Sequence, residues 1–494
     1  MRIHRYCTTF LLLILLGFIA SCTVGPDFEP SAAPAITSYE SVPIPLAAPG
    51  NLDPAQRFID GGAIAHQWWE LFRSPELDEV VTLAIKDSPS LASARATLAQ
   101  AEEVVVGARG AYYTQVNLTA EGHYQPNHSV SGPPRSNGNN SLVTSMFSIG
   151  PALSYTPDLF GQNRRLVEQA SALAENQSYQ LASAYLTLTA DAVTQAVTIA
   201  STLAQIKTMN DIIAVDDHNL DLVRIAFTAG SVARTDVLSA ESQLADDRTL
   251  LPPLEQQLSV AQHALPVLVG KAPAEWPPPD FELDTLTLPG ELPVTVPSEL
   301  VRGRPDILAA EAQLHAASAA IGVATAQLYP SLTLSPSLAV QTFTTGGRFD
   351  GSDLFASIAG SVMAPIFHGG TLEAQRRAAV DAYQADLGTY RQTVLQAFGQ
   401  VADVLRALQH DAELLGSENT AVTASKASLD LSQAAYAAGR GSLVQVLDAQ
   451  RLYAQALQGY VHAKGQRYLD TILLFEAMGG DSQSWVVFNA SSQP

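Results

Sequence analysis

From Arg164 to Thr228 the chain runs for 65 residues without proline or glycine, and from Gln375 to Ala438 it runs for 64 without proline. Proline disrupts a helix interior by removing a donor and clashing with the preceding turn; glycine does so through backbone entropy. Both stretches therefore read as single helices, the first about 95 Å long at ~1.5 Å per residue. Helices of that length form rods, coiled coils or tubes and do not close around a compact core. Their apolar pattern agrees. Val394, Phe398, Val401, Leu405, Leu408, Ala412 and Leu415 recur at alternating steps of four and three, as do Leu186, Ala190, Val193, Val197, Ala200 and Ala204. A 3.5-residue spacing is the seam of helices lying side by side at a shallow crossing angle.

The two stretches belong to a duplication. The segment from Pro89-Ser90-Leu91 through Gln115-Val116-Asn117-Leu118 aligns with Pro305-Asp306-Ile307 through Ser331-Leu332-Thr333-Leu334 at an offset of 216. Ala226-Phe227-Thr228-Ala229-Gly230 aligns with Ala435-Tyr436-Ala437-Ala438-Gly439 at an offset of 209, the drift reflecting a shorter loop in the second copy. A period near two hundred residues is too long for a solenoid unit. It is a duplicated half-protein. The expected segments are a first repeat over 63–270, a linker over 271–304, a second repeat over 305–480 and a tail over 481–494.

Each half carries two segments of strict alternation, near residues 113–124 and 146–156, then 329–341 and 354–366. Val116, Leu118, Ala120 and Tyr124 share one face; Phe147, Ile149, Leu153 and Tyr155 do the same, as do Leu332, Leu334, Leu338 and Val340, then Ala356, Ile358, Val362 and Ala364. The opposite faces are small or polar. Such strands suit a boundary between lipid and an aqueous lumen, or equally a sandwich with one buried face. Loops rich in Gly, Asn, Ser and Pro are expected over 125–145 and 342–353. Four strands cannot close a barrel, for which about eight are the minimum, and lipid tolerates no open edge. Strands that span a membrane here must therefore be shared among several subunits.

The N-terminus places the chain in the cell envelope. Arg2 and Arg5 precede the apolar run Leu11–Ala20, and Ala20-Ser21 stand before Cys22. That is a secretory signal over 1–21 with a lipoprotein-type cleavage site, which makes Cys22 the lipidated first residue. Thr23, rather than Asp, follows it, which favours passage to the outer membrane. Residues 22–62 read as an extended tether rich in Pro and Ala. The mature chain retains Cys22 alone, so no internal disulfide forms, and it sets 25 basic against 48 acidic side chains, a net charge of −23. That balance argues against a nucleic-acid partner and suits a cation-favouring surface or lumen. No nucleophile elbow or phosphate loop is present, and His123 and His128 have no third ligand nearby, so neither an enzyme nor a cofactor is expected. Trp68 and Trp69 read as packing anchors.

With these elements in view, the chain resembles the TolC-type outer-membrane factors in their lipoprotein branch, OprM- or NodT-like. The motifs are Cys22-Thr23-Val24-Gly25-Pro26-Asp27-Phe28, Trp68-Trp69-Glu70-Leu71-Phe72, the run from Leu292 through Arg302-Gly303-Arg304-Pro305-Asp306-Ile307, and the corners Pro157-Asp158-Leu159-Phe160-Gly161 and Pro365-Ile366-Phe367-His368-Gly369-Gly370. They span nearly the whole mature sequence. The resemblance implies a mostly helical protein with membrane β-structure: a homotrimer whose twelve strands close an outer-membrane β-barrel continuous with a long periplasmic α-helical barrel. It also implies a passive exit duct, embedded in outer-membrane lipid and fed by an inner-membrane pump of RND, ABC or MFS type through a periplasmic adaptor (membrane fusion) protein. By position, the gate lies at turns near 228–236 and 437–445. There Tyr436 would hydrogen-bond Asp236, Asp448 would form an acidic ring, and Val444 an apolar ring one helical turn away. Arg440 is the basic residue of the gate, although Gly441 beside it weakens the case for an arginine lock. Gln445 stands where some members carry a second aspartate. Gly230, Ser231, Val232, Gly439 and Gly441 would meet the adaptor. The alternative is a non-conducting coiled-coil lipoprotein that bridges the envelope.

Overall fold

A computed structural model of the chain describes residues 23–32, 34–40, 56–61, 64–65, 67–126, 143–345 and 348–480. The signal segment, Cys22, His128, much of the 125–145 loop and the tail 481–494 lie outside the described residues. The elements, in chain order, are β1 (Arg57–Asp60), α1 (Pro75–Asp87), α2 (Pro89–Arg109), β2 (Gln115–Pro126), β3 (Val143–Ser154), α3 (Gln162–Thr228), α4 (Arg234–Thr249), α5 (Leu251–Leu268), β4 (Glu291–Val294), α6 (Pro297–Gly303), α7 (Pro305–Ala326), β5 (Ser331–Thr345), β6 (Arg348–Met363), α8 (Thr371–Ala437) and α9 (Leu443–Ala477). Helices α3 and α8 are each 67 residues long. Their first residues are 209 apart, as are those of α4 and α9, whereas β2 and β5 begin 216 apart. The seven-residue difference is absorbed within the β2–β3 and β5–β6 hairpins.

The chain forms two compact units. One comprises the N-terminal segment through Pro30 with residues 99–175 and 311–388; the other holds 31–98, 176–310 and the C-terminal part from Thr389.

The first unit contains an antiparallel four-stranded sheet in the order β2-β3-β5-β6, so the hairpins of the two repeats lie side by side. Register brings the apolar positions together: Val116 faces Leu153, Ala120 faces Ile149, Ile149 faces Val340, and Leu338 faces Ala356. One face of the sheet is thus apolar across all four strands, and it is open, with Leu118 75% and Ile358 87% exposed. At the centre the β3–β5 ladder breaks at Gly150-Pro151, since proline has no N–H to give. A Cβ at Gly150 would stand 2.0 Å from the Leu338 carbonyl oxygen, so only glycine permits this approach. The second loop differs from expectation. Pairing continues from Thr342 opposite Ser352 to Thr345 opposite Arg348, past a bulge, because threonines and aromatics favour the extended chain.

Behind the sheet's corner, Asp158 accepts from the Arg164 amide at 2.9 Å and caps α3, while Phe160 stacks on Tyr329 at 4.8 Å. The N-terminal segment is pinned here. Val24 donates to the Phe160 carbonyl at 3.1 Å, buried Arg165 pairs with Asp27 and Glu168 at 2.7 Å each, and Phe28 stacks on His315 at 4.5 Å.

The second unit has the large core. Trp68, Trp69 and Phe72 are fully buried, and Trp68 stacks on Phe475 at 5.2 Å. The α8 seam residues from Val394 to Leu415 are buried as the heptads require, as are Ala190, Val193, Val197 and Ala200 of α3. Here too the N-terminal segment is held. Strand β1 pairs in parallel with β4, the Tyr39 hydroxyl donates to the Thr295 carbonyl at 2.6 Å, Glu40 pairs with Arg406, and Gln56 donates to the Pro289 carbonyl and to Thr471. Arg304, from the Arg-Pro-Asp motif, bonds Asp306 bidentately, the Ala477 carbonyl at 2.9 Å and Gln400 at 2.8 Å. Arg304→Ala strands those acceptors, of which the Asp306 carboxylate stays partly exposed, and should lower stability by about 1–3 kcal/mol. Arg304→Lys should not rescue it, because an ammonium cannot reproduce the planar fork. The melting temperature of the purified oligomer reads both variants.

Candidate gate: the paired helix turns

Helices α3 and α8 end in the same device. Gly230 and Gly439 adopt φ of 73° and 69°, a left-handed conformation that costs glycine nothing. Ser231 donates to the Ala226 carbonyl at 3.0 Å and Gly230 to that of Phe227 at 2.9 Å; Arg440 donates to Ala435 and Gly439 to Tyr436, each at 2.9 Å. These are paired Schellman closures, which satisfy the last carbonyls of each helix. The chain then reverses within a few residues into α4 and α9.

The two new helices start differently. Ser442 and Gln445 form a reciprocal capping box, the Gln445 amide donating to Ser442 Oγ at 3.3 Å and the Ser442 amide to Gln445 Oε1 at 3.0 Å. In the first copy Asp236 Oδ2 accepts from the Ala233 amide at 2.9 Å, but alanine offers no oxygen in return, so this is half a box. Gln445 thus has a structural task at the start of α9. The Ser-x-x-Gln spacing before an apolar run is a capping signature legible in the sequence.

Packing joins the copies. Leu220, Val223, Ala240 and Leu244 form a small core against which Val232, Val237, Leu443 and Leu447 pack, so the start of α9 lies on the α3–α4 hairpin. Arg224 of α3 pairs with Glu241 of α4 at 2.9 Å. Among the expected turn residues, Gly230, Ser231 and Gly439 are exposed; Val232 is drawn into the small core, and Gly441 is half-buried, with room for a Cβ limited by the Tyr436 amide at 3.2 Å. Val444 and Asp448 are exposed one turn apart on α9, Asp448 lying 4.0 Å from Arg451. Arg440 is exposed, with no ion pair among the described residues. Asp236 and Tyr436 form no hydrogen bond within the protomer: the Asp236 carboxylate is held by its own helix start, and Tyr436 is 38% exposed.

An exposed apolar sheet and two helical hairpins with duplicated turns are the parts of an outer-membrane channel. The sequence profile of the outer membrane efflux protein family matches residues 80–271 and 296–480, and the chain belongs to that family. It is 30% identical over 452 residues to the pyoverdine export outer membrane protein OpmQ of Pseudomonas aeruginosa, covering 90% of this chain and 94% of that one. Nodulation protein T of Rhizobium leguminosarum bv. viciae is 28% identical, covering 97% and 94%. Among solved structures, the outer-membrane channel OprN superposes with a TM-score of 0.82 at 26% identity, over 94% of this chain and all of that one. The protein is therefore an outer-membrane exit duct of an efflux system that reaches into the periplasm, and its class works as a trimer with adaptor and pump partners.

The two caps make the local chemistry measurable. Asp236→Ala and Ser442→Ala should each weaken the adjoining helix start by about 0.5–2 kcal/mol, read as about twofold to about thirtyfold faster hydrogen exchange over the first turn of α4 or α9. Exchange elsewhere should be unchanged.

Proposed function

We propose that three copies of this chain share one barrel, and that the turns at Gly230 and Gly439 form its periplasmic gate. The observation that carries the first part is the sheet: β2 and β6 are its outer strands, each paired on one side only. Lipid supplies no hydrogen-bond partner to the other side, so β2 of one copy pairs with β6 of the next until the ring closes at twelve strands. Asp448 and Val444, exposed together on α9, supply an acidic and an apolar ring at the gate; like carboxylates around a narrow axis favour cations. Gly230, Ser231 and Gly439, free at the tips, meet the adaptor, which couples the duct to a pump of RND, ABC or MFS type. The relationship to a pyoverdine export protein supports a small-molecule cargo. Cys22 adds a lipid anchor to a hold supplied mainly by the barrel. The duct itself carries out no chemistry.

Crosslinking in mild detergent should give a dominant trimer, and the trimer should conduct in a planar bilayer. A stable monomer, or a trimer without conductance, would favour the scaffold reading. Asp448→Asn should leave assembly intact and reduce cation preference, because it removes the charge from a ring of three. Unchanged selectivity would place the constriction elsewhere.

A further inference from the structure

Helices α3, α4 and α9 meet around a buried polar cluster that the turns do not require. Asp216 of α3 is 5% exposed and Gln450 of α9 is 6% exposed. Gln450 Nε2 donates to Asp216 Oδ1, and Gln450 Oε1 accepts from Asn219 Nδ2. Asp216 Oδ2 meets no donor, although it is fully enclosed. The side chain it faces is a second carboxyl, Asp247 of α4, 8% exposed, which accepts from Gln243 Nε2 at 2.8 Å. The other charged groups bearing on the pair are Asp217 on α3, itself bound by Arg248 of α4 at 2.8 Å; from α9 the facing group is the neutral Gln450 amide. Among the described residues, the nearby cation Arg248 is bound to Asp217 and not to either carboxyl of the pair. Two buried carboxylates left charged against each other, one with an oxygen lacking a donor, is an arrangement that burial and like charge both oppose.

We propose that Asp216 and Asp247 form a proton-binding site, in which one proton held between the two carboxyls completes the network tying α9 of the second repeat to the α3–α4 hairpin of the first. Burial, then the Asp247 carboxyl, push Asp216 up from 3.8 to about 8. The direction of the pH effect follows. A carboxyl released to water titrates near ~3.9, so between there and about 8 the packed arrangement holds one more proton than the separated one. Separating the helices releases that proton to solvent. Raising the pH through this window therefore favours separation, by up to about tenfold per unit, and above about 8 the effect levels off.

The full-length trimer tests this by infrared titration between about pH 6 and about pH 9. The wild type should show a protonated-carboxyl C=O band that disappears with rising pH. Asp247→Asn and Asp216→Asn should each lose one such group per chain, since the new amide donates to the remaining carboxylate in the proton's place. The second facing pair, Asp411 and Asp470, is intact in both variants and cancels in the difference spectrum. Identical titrations in wild type and variants would overturn the site, and if one variant fails to assemble the other decides. The mechanical consequence rests on the gate reading above and has its own readout. Bilayer conductance of the wild type should rise with periplasmic-side pH over this window, while the Asn variants stay flat. A lost band with parallel conductance profiles would retain the proton site and remove its coupling to opening.

Discussion

Every backbone N–H and C=O in a lipid-facing strand must find a partner in the protein, and four strands in one chain cannot meet that demand at their two outer edges. The order β2-β3-β5-β6 leaves one edge from each repeat, so the duplication itself creates two complementary ends. Assembly follows from this as a requirement of hydrogen bonding. The apolar face, continuous because register aligns Val116 with Leu153 and Leu338 with Ala356, then orients the sheet toward lipid.

The helical part depends on a different economy. The 209-residue offset is kept from the start of α3 and α8 through the turns into α4 and α9, so equivalent residues can be compared directly. Apolar seam positions and turn glycines are shared. Buried polar positions are not: Thr202 corresponds to Asp411, Ser425 to Asp216, Ala456 to Asp247 and Ala261 to Asp470. Each carboxyl pair stands on one copy only, with small neutral residues at the equivalent positions of the other. The copies have kept the packing that makes long helices adhere and diverged in the groups that tie particular helices together.

Much of this architecture was readable from residue patterns. Proline-free runs gave the long helices to within a few residues, since a 67-residue helix depends mainly on what it lacks and on its heptads. Alternation gave the strands and their faces. The loop over 342–353 was misread because its glycines and polar residues resemble a connection, whereas ladder pairing with a neighbouring strand overrides composition. The contacts of the extended N-terminal segment are hidden in the sequence for a similar reason. Glu40 and Gln56 look solvent-facing in a Pro- and Ala-rich context, yet they are bound by Arg406 and Arg467, and even the exposed Asp27 holds buried Arg165, all from far along the chain.

By itself the sequence determined the duplication, the two long helices, the presence of the four alternating strands and the glycine turns, because these depend on local backbone preference and on periodicity within a few turns. The capping role of Gln445 was also present locally, in the Ser-x-x-Gln spacing. Only the tertiary structure decided that β3 pairs with β5, that Asp236 binds its own helix start and not Tyr436, and that Asp216 faces Asp247. Such pairings join residues tens to hundreds of positions apart, and no local preference encodes which partner a buried carboxyl will meet. They are fixed by the packing of whole helices and strands, where the cost of an unpaired buried group selects among arrangements that the sequence leaves equally open.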